Sequence, residues 1–160
     1  MDTVKECLIR KQAIEIGTMK VDGLTVEYWI VVAPCEGALN GYACFPTRPV
    51  VEPDYNGIIA YVPVHGGVTL AHEYSDGMVY GFDTLHYDSH NYPRFEKEWI
   101  RDQIKVMIHG ILVAAKVEKK YLLAKTEAKK AIYAQKVQDV GDPVHQRNFG
   151  VAINLLSGKL

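Results

Sequence analysis

The sequence contains few cysteines, few arginines and almost no net charge. Its three cysteines show no C-x-x-C spacing, which argues against a disulfide framework and against a zinc finger. Because arginine is sparse and the formal net charge is −1, the composition does not favour a nucleic-acid-binding protein. The longest apolar run, residues 106–115, contains His109 and is too short to cross a bilayer. We therefore expect a partner other than a membrane or a nucleic acid.

Familiar catalytic signatures are missing as well. The chain has no P-loop, no nucleophile elbow and no H-E-x-x-H motif. With 160 residues, of which 48% are hydrophobic, it is long and apolar enough for one domain with a core. The first ten residues carry charges of both signs and lack the apolar segment of a secretory signal, so we expect a cytoplasmic protein.

The spacing of apolar residues changes from strand-like to helix-like along the chain. Residues 13–86 show short runs with a two-residue turn at Asp22-Gly23 and a second turn at Ser75-Asp76-Gly77. The predicted strands are 13–21, 24–33, 41–45, 58–64, 68–74 and 78–85. The prediction is an α+β fold in which an N-terminal, mostly antiparallel sheet of about five to six strands in hairpins precedes a long C-terminal helix.

Residues 93–138 have the period of one helix. Asn91-Tyr92-Pro93 is a typical helix start, and apolar residues then recur at intervals of three and four. An unbroken helix of this length would measure about 70 Å, which exceeds the diameter of so small a domain. The helix is therefore expected either to break near 110–117 or to leave the domain.

Lysines are concentrated in the second half of this helix. Residues 116–136 contain seven lysines and two glutamates. We divide the chain into an α+β domain, residues 1–115, and a lysine-rich helical extension with a tail, residues 116–160. The extension either forms an oligomerisation arm, with homo-oligomer contacts along helix 100–138, or folds back as a hairpin.

Ionisable and turn-forming residues are densest in VHGGVTLAHEYSDGMVYGFDTLHYDSH, residues 64–90, which hold four of the six histidines. If Asp76-Gly77 is the two-residue turn of a hairpin, VHGG and LHYDSH meet at its far end and His65 faces Asp88. Strand alternation then places one set of side chains on a common face, namely His65, Thr69, Thr84, His86 and Asp88. A turn one residue earlier would change these pairs.

Two imidazoles and a carboxylate at one rim of a sheet have three uses. His65, His86 and Asp88, the candidate catalytic residues, could hold a divalent metal, could work as an acid–base pair, or could bind a ligand without chemistry. The metal and any cofactor stay unknown. Glycine N–H groups can cradle an anion or form a plain bend. The candidate ligand-binding residues are Gly66, Gly67, Thr69, Asp83, Thr84 and His90.

Three motifs follow one another in a distinctive order. They are GY-x-x-x-P at residues 41–46, VHGG-x-T at 64–69 and GFD-x-x-H at 81–86, the last followed by an acid and an aromatic-led helix. In this order they resemble a family of small uncharacterised proteins common in bacteriophages and prophages. The family pattern often has Cys after GFD, where this chain has Thr84. The resemblance implies a phage-encoded protein of the host cytosol and implies no particular activity.

Two functions fit these observations. The first is a phage accessory protein that binds a small anionic ligand, such as a nucleotide-like signal, or a host factor at the His/Gly-rich rim. The second is a hydrolase that acts on a small phosphorylated substrate through His65, His86 and Asp88, with or without a metal. The missing catalytic signatures favour binding, whereas the convergence of histidines favours an enzyme.

Overall fold

A single antiparallel sheet forms the body of the molecule in the computed structural model, which describes residues 2–34, 36–47, 49–86 and 89–141. Its five strands have the order β1-β2-β3-β5-β4. They are β1 (Ala13–Val21), β2 (Leu24–Val32), β3 (Leu39–Phe45), β4 (Leu70–Tyr74) and β5 (Gly77–Phe82), and the helices are α1 (Leu8–Lys11), α2 (Lys97–Leu123) and α3 (Glu127–Gly141). The predicted α+β fold, a sheet followed by a long C-terminal helix, is confirmed.

The first hairpin has the predicted turn. Val21 pairs with Leu24, so Asp22 and Gly23 form a two-residue loop. Both loop residues have positive φ angles, 52° and 84°, as the favoured two-residue hairpin turn requires. β2 is an interior strand, and the N-terminal segment covers the sheet face that carries Trp29.

Helix α2 covers the other face of the sheet. Its buried apolar residues repeat every three or four positions and belong to the main core; they include Ile100, Ile104, Met107, Ile111, Ala114, Val117 and Tyr121. Gly41 lets the helix approach β3 closely, because a Cβ at that position would lie 2.7 Å from Cγ1 of Ile104. Burial of this apolar stripe is the main force that holds α2 on the sheet.

The predicted strand at residues 58–64 is wrong. Ile58–Tyr61 is a short 3-10 helix, and it packs against α2 and α3. Ile58, Ile59 and Val62 are all buried, and residues 58–62 are all apolar or aromatic. A continuous apolar run has no period that separates a strand from a short buried helix.

The second hairpin turns one residue earlier than predicted. Tyr74 pairs with Gly77, so the loop is Ser75-Asp76 and every partner across the hairpin shifts by two positions. The first position of β5 requires a glycine, because a Cβ at Gly77 would lie 2.7 Å from the carbonyl oxygen of Phe45 in the neighbouring strand. The N-terminal segment holds the turn in place, since Asp76 Oδ1 accepts the N–H of Val4 at 2.8 Å.

The long helix begins later than predicted. α2 starts at Lys97, and Asn91 belongs instead to a 3-10 turn at Ser89–Asn91. The intervening chain is tied to the start of β3, because the Arg94 carbonyl accepts the N–H of Leu39 at 2.9 Å. These contacts with the sheet keep residues 92–96 out of the helix.

The predicted break at 110–117 is also wrong. α2 runs unbroken to Leu123, and α3 begins at Glu127 and packs back against α2. Thr126 starts the new helix, since its Oγ1 accepts the N–H of Lys129 at 3.2 Å, the bond of a threonine N-cap. The extension thus folds back as a hairpin within the described residues, and its role in oligomerisation stays a prediction.

Candidate functional site

The VHGG motif forms a tight turn at the edge of the sheet. The N–H of Gly67 donates to the carbonyl of Val64 at 2.8 Å, and Gly66 and Gly67 have φ angles of 72° and 79°. Glycine adopts this left-handed region without steric cost. The backbone N–H of His65 donates to Oε1 of Gln103 at 2.9 Å, which fixes the turn to α2.

Ser89 joins the two histidine motifs. Its side chain is fully buried, and its Oγ accepts the backbone N–H of His86 at 3.1 Å. The same Oγ lies 2.8 Å from Nε2 of His65. One hydroxyl therefore sets the positions of both His65 and His86.

Aromatic rings surround His65. The centroid of its imidazole lies 4.5 Å from that of Tyr92, 5.4 Å from that of Trp99 and 5.9 Å from that of His86. Tyr92 and Trp99 also contact each other, with centroids 5.8 Å apart. Tyr92 is 44% exposed, so part of this cluster faces solvent. We call His65, Gly66, His86, Tyr92 and Trp99 the rim site.

His86 contributes an unsatisfied ring nitrogen. Its Nε2 is buried and has no hydrogen-bond partner within the described residues. Oδ1 of Asp83 lies 3.5 Å from this nitrogen and accepts the N–H of Leu85 at 3.0 Å. Buried polar atoms are nearly always hydrogen-bonded, so this nitrogen calls for a partner such as a ligand or a water molecule.

Gly66 packs directly on the His86 ring. A Cβ at Gly66 would overlap Nε2 and Cδ2 of His86 and would lie 2.8 Å from Cε1. A Cβ at Gly67, in contrast, would meet nothing within 4 Å. Only the first glycine of the pair is therefore required for close packing at the site.

Part of the predicted site comes together, although the predicted pairing across the hairpin is wrong. The loop before β4 and the loop after β5 pack on each other and bring together His65, Gly66, Asp83 and His86. The strand pairing itself ends at Leu70 and Gly81. Asp88, the third candidate catalytic residue, lies outside the described residues.

The two predicted threonines do not share a face. Thr84 is fully buried, and its Oγ1 donates to the carbonyl of Leu39 at 2.9 Å. Thr69 is exposed and its N–H donates to the carbonyl of Gly81 at 2.8 Å. Both threonines lie beyond the ends of the β4–β5 ladder, so strand alternation does not place them on a common face. His90 is exposed in the 3-10 turn after His86.

Sequence reasoning missed Ser89, Tyr92, Trp99 and Gln103. Trp99 and Gln103 are four residues apart on α2, so they lie on the same side of the helix. Ser89 follows His86 by three residues, a spacing at which a serine hydroxyl often accepts a nearby backbone N–H. These spacings could have placed the residues near one another, but the direction of α2 relative to the VHGG turn has no signal in the sequence.

A metal site is not formed by the described side chains. No group of three or more His, Cys, Asp or Glu residues in the described ranges is placed to hold a metal ion. Among the same residues, no helix is both long and apolar enough to span a membrane.

Comparison with known proteins adds no relative. No protein-family model matches this chain, and no curated protein and no solved structure is significantly similar to it.

Proposed function

We propose that this chain is a phage-encoded accessory protein that binds a small anionic, nucleotide-like ligand at the rim site. The observation that carries the proposal is the buried Nε2 of His86, which has no hydrogen-bond partner within the described residues and lies beneath the exposed Gly66. The phage origin, and a host protein as a further partner, rest on the resemblance of the VHGG and GFD-x-x-H motifs.

The rim site offers complementary groups for such a ligand. An imidazole N–H donates to a phosphate or carboxylate oxygen, and a protonated imidazole adds charge attraction. The rings of Tyr92 and Trp99 provide faces on which a planar base stacks, worth about 1–3 kcal/mol per base in other proteins. Gly67 leaves room for a ligand to reach the backbone, because even a Cβ at that position would meet nothing within 4 Å.

A hydrolase is the second candidate function, and one contact favours it. Nε2 of His65 lies 2.8 Å from Oγ of Ser89, within reach for a base that activates a hydroxyl nucleophile. Ser89 is fully buried, however, and its Oγ already accepts the N–H of His86. This hydroxyl is already engaged by both histidines, whereas His86 Nε2 has no hydrogen-bond partner within the described residues, so we favour binding.

Tryptophan fluorescence offers a direct test. The chain has two tryptophans: Trp99 belongs to the rim site, whereas Trp29 is fully buried on the other face of the sheet. We expect a nucleoside monophosphate, tried with each of the common bases, to quench the fluorescence saturably. His86→Ala should weaken binding by about tenfold or more, and Trp99→Phe should remove the response.

The controls separate binding from hydrolysis. His72→Ala replaces an exposed histidine of β4 outside the rim site and should bind like the unmodified protein. Equal affinities of His86→Ala and His72→Ala, or no saturable response to any of the nucleotides, would contradict the proposal. Release of phosphate that Ser89→Ala abolishes would instead support the hydrolase.

A further inference from the structure

A second anion site lies where α2 turns into α3. Three lysines from three segments line one cavity of about 420 Å³: Lys120 from the end of α2, Lys125 from the turn and Lys129 from the first turn of α3. The remaining lining residues are Leu123, Ala124 and Tyr133, so none of the acidic side chains that the structure describes lines the cavity. The volume falls within the range of small-molecule sites.

The charges of these lysines are not neutralised locally. None of the three forms an ion pair with another residue in the described part of the chain. The neighbouring Lys130 is engaged differently, since its ammonium lies 5.6 Å from the ring centroid of Tyr121. Like charges gathered around one cavity repel one another, and a bound anion would relieve that repulsion.

Helix electrostatics strengthen the case. The N-terminus of α3 carries the positive end of the helix dipole, where a cation such as Lys129 is unfavourable and an anion is favourable. Glu127 is the acidic residue in the first turn of α3 and does not line the cavity. Lys129 thus places positive charge where the helix dipole alone disfavours it, a conflict of the kind expected at a functional site.

We infer that the cavity lined by Lys120, Lys125 and Lys129 binds a small ligand with two or more phosphate groups. The lysines would neutralise the phosphates, while Leu123 and Tyr133 would contact an apolar or aromatic portion of the ligand. This inference does not depend on the rim site, because the two sites share no residue.

Titration calorimetry with inorganic pyrophosphate tests the inference. We expect saturable binding that weakens at high salt, and a loss of affinity of about tenfold or more in the double variant Lys125→Glu/Lys129→Glu. Lys136→Glu, on α3 outside the cavity, should change the affinity by less than about twofold, and His72→Ala, outside both proposed sites, should leave it unchanged.

Three results would overturn the inference. They are no pyrophosphate binding by the unmodified protein, equal weakening by the double variant and by Lys136→Glu, and loss of binding in His72→Ala. A circular-dichroism melt of each variant shows whether it is folded. If the double variant is unfolded, the single variants Lys125→Gln and Lys129→Gln replace it, and an unchanged affinity in both would overturn the inference equally.

Discussion

Gly66→Ala is the sharpest perturbation of the rim site, and Gly67→Ala is its matched control. Both glycines have φ angles in the left-handed region, 72° and 79°, so both variants share a backbone cost of about 1–2 kcal/mol. Only the Cβ at Gly66 would overlap the His86 ring, whereas the Cβ at Gly67 would meet nothing within 4 Å. The difference between the variants therefore isolates the contact between Gly66 and His86.

The magnitude of that difference follows from overpacking. Inserting a methyl group into a packed contact costs about 1–3 kcal/mol, and the half-buried His86 ring can lower this cost by swinging towards solvent. We expect Gly66→Ala to be less stable than Gly67→Ala by about 1–2 kcal/mol, measured by urea unfolding. We also expect the imidazole NMR signals of His86 to move in Gly66→Ala and to stay in place in Gly67→Ala.

Two outcomes would refute this reasoning. One is equal unfolding free energies, within about 0.5 kcal/mol, together with unchanged His86 signals in both variants. The other is a larger loss of stability in Gly67→Ala than in Gly66→Ala. Either result would mean that Gly66 does not determine the position of His86.

Three further predictions concern the rest of the fold. The Arg101 guanidinium donates two hydrogen bonds of 2.6 Å to Glu15 and lowers the pKa of that carboxyl to about 2. Glu15→Gln should therefore lower the Tm at pH 7, and the difference should vanish as the pH falls from about 5 to 2, where the paired carboxylate becomes protonated. A pH-independent difference in Tm would contradict the pairing. Tyr80 donates to the carbonyl of the buried Val51 at 2.7 Å and accepts its N–H at 2.9 Å. Tyr80→Phe should therefore lower the free energy of unfolding in urea by about 2–4 kcal/mol. A decrease below about 0.5 kcal/mol would count against these hydrogen bonds. Ala128 is exposed on α3, so Ala128→Trp should lower the mass in solution if this face forms the predicted oligomer, and an unchanged mass would reject that interface.

Local signals in the sequence predicted the sheet and the first hairpin. Between two strands of alternating apolar residues, Asp22-Gly23 strongly favours a two-residue hairpin turn, and the structure has the turn there. Ser75-Asp76-Gly77 was compatible with a turn at Ser75-Asp76 or at Asp76-Gly77. The structure has the first, in which Gly77 is the residue of β5 that lies against the Phe45 carbonyl. That contact joins strands distant in sequence, so no local rule could reveal it.

The helical half shows a similar limit. The predicted recurrence of apolar residues at intervals of three and four is confirmed from Ile100 to Tyr121, where the residues at this spacing are buried. Beyond it, Ala128 and Ala131 are exposed, and Ala134 and Val137 are buried in their place. The spacing of apolar residues could not show that the chain reverses direction just before Thr126. An alanine-rich stretch favours a helix on either side of such a turn.

The rim site was located by composition more than by geometry. His65 and His86 meet as expected, but they do so through loop packing and the shared Ser89 hydroxyl. A predicted strand ladder cannot describe such contacts, since they depend on how α2 brings Trp99 and Gln103 against the VHGG turn. The residue types thus indicated where the rim site lies, whereas tertiary packing determines which residues form it.

Native mass spectrometry of protein purified from an expressing host tests directly whether the rim site holds a ligand. We expect a small molecule to stay bound to the unmodified protein and to His72→Ala, and its mass to disappear from His86→Ala while the protein stays folded. Retention of the same molecule by His86→Ala, or no bound molecule on the unmodified protein, would contradict the assignment of the rim site as a ligand site.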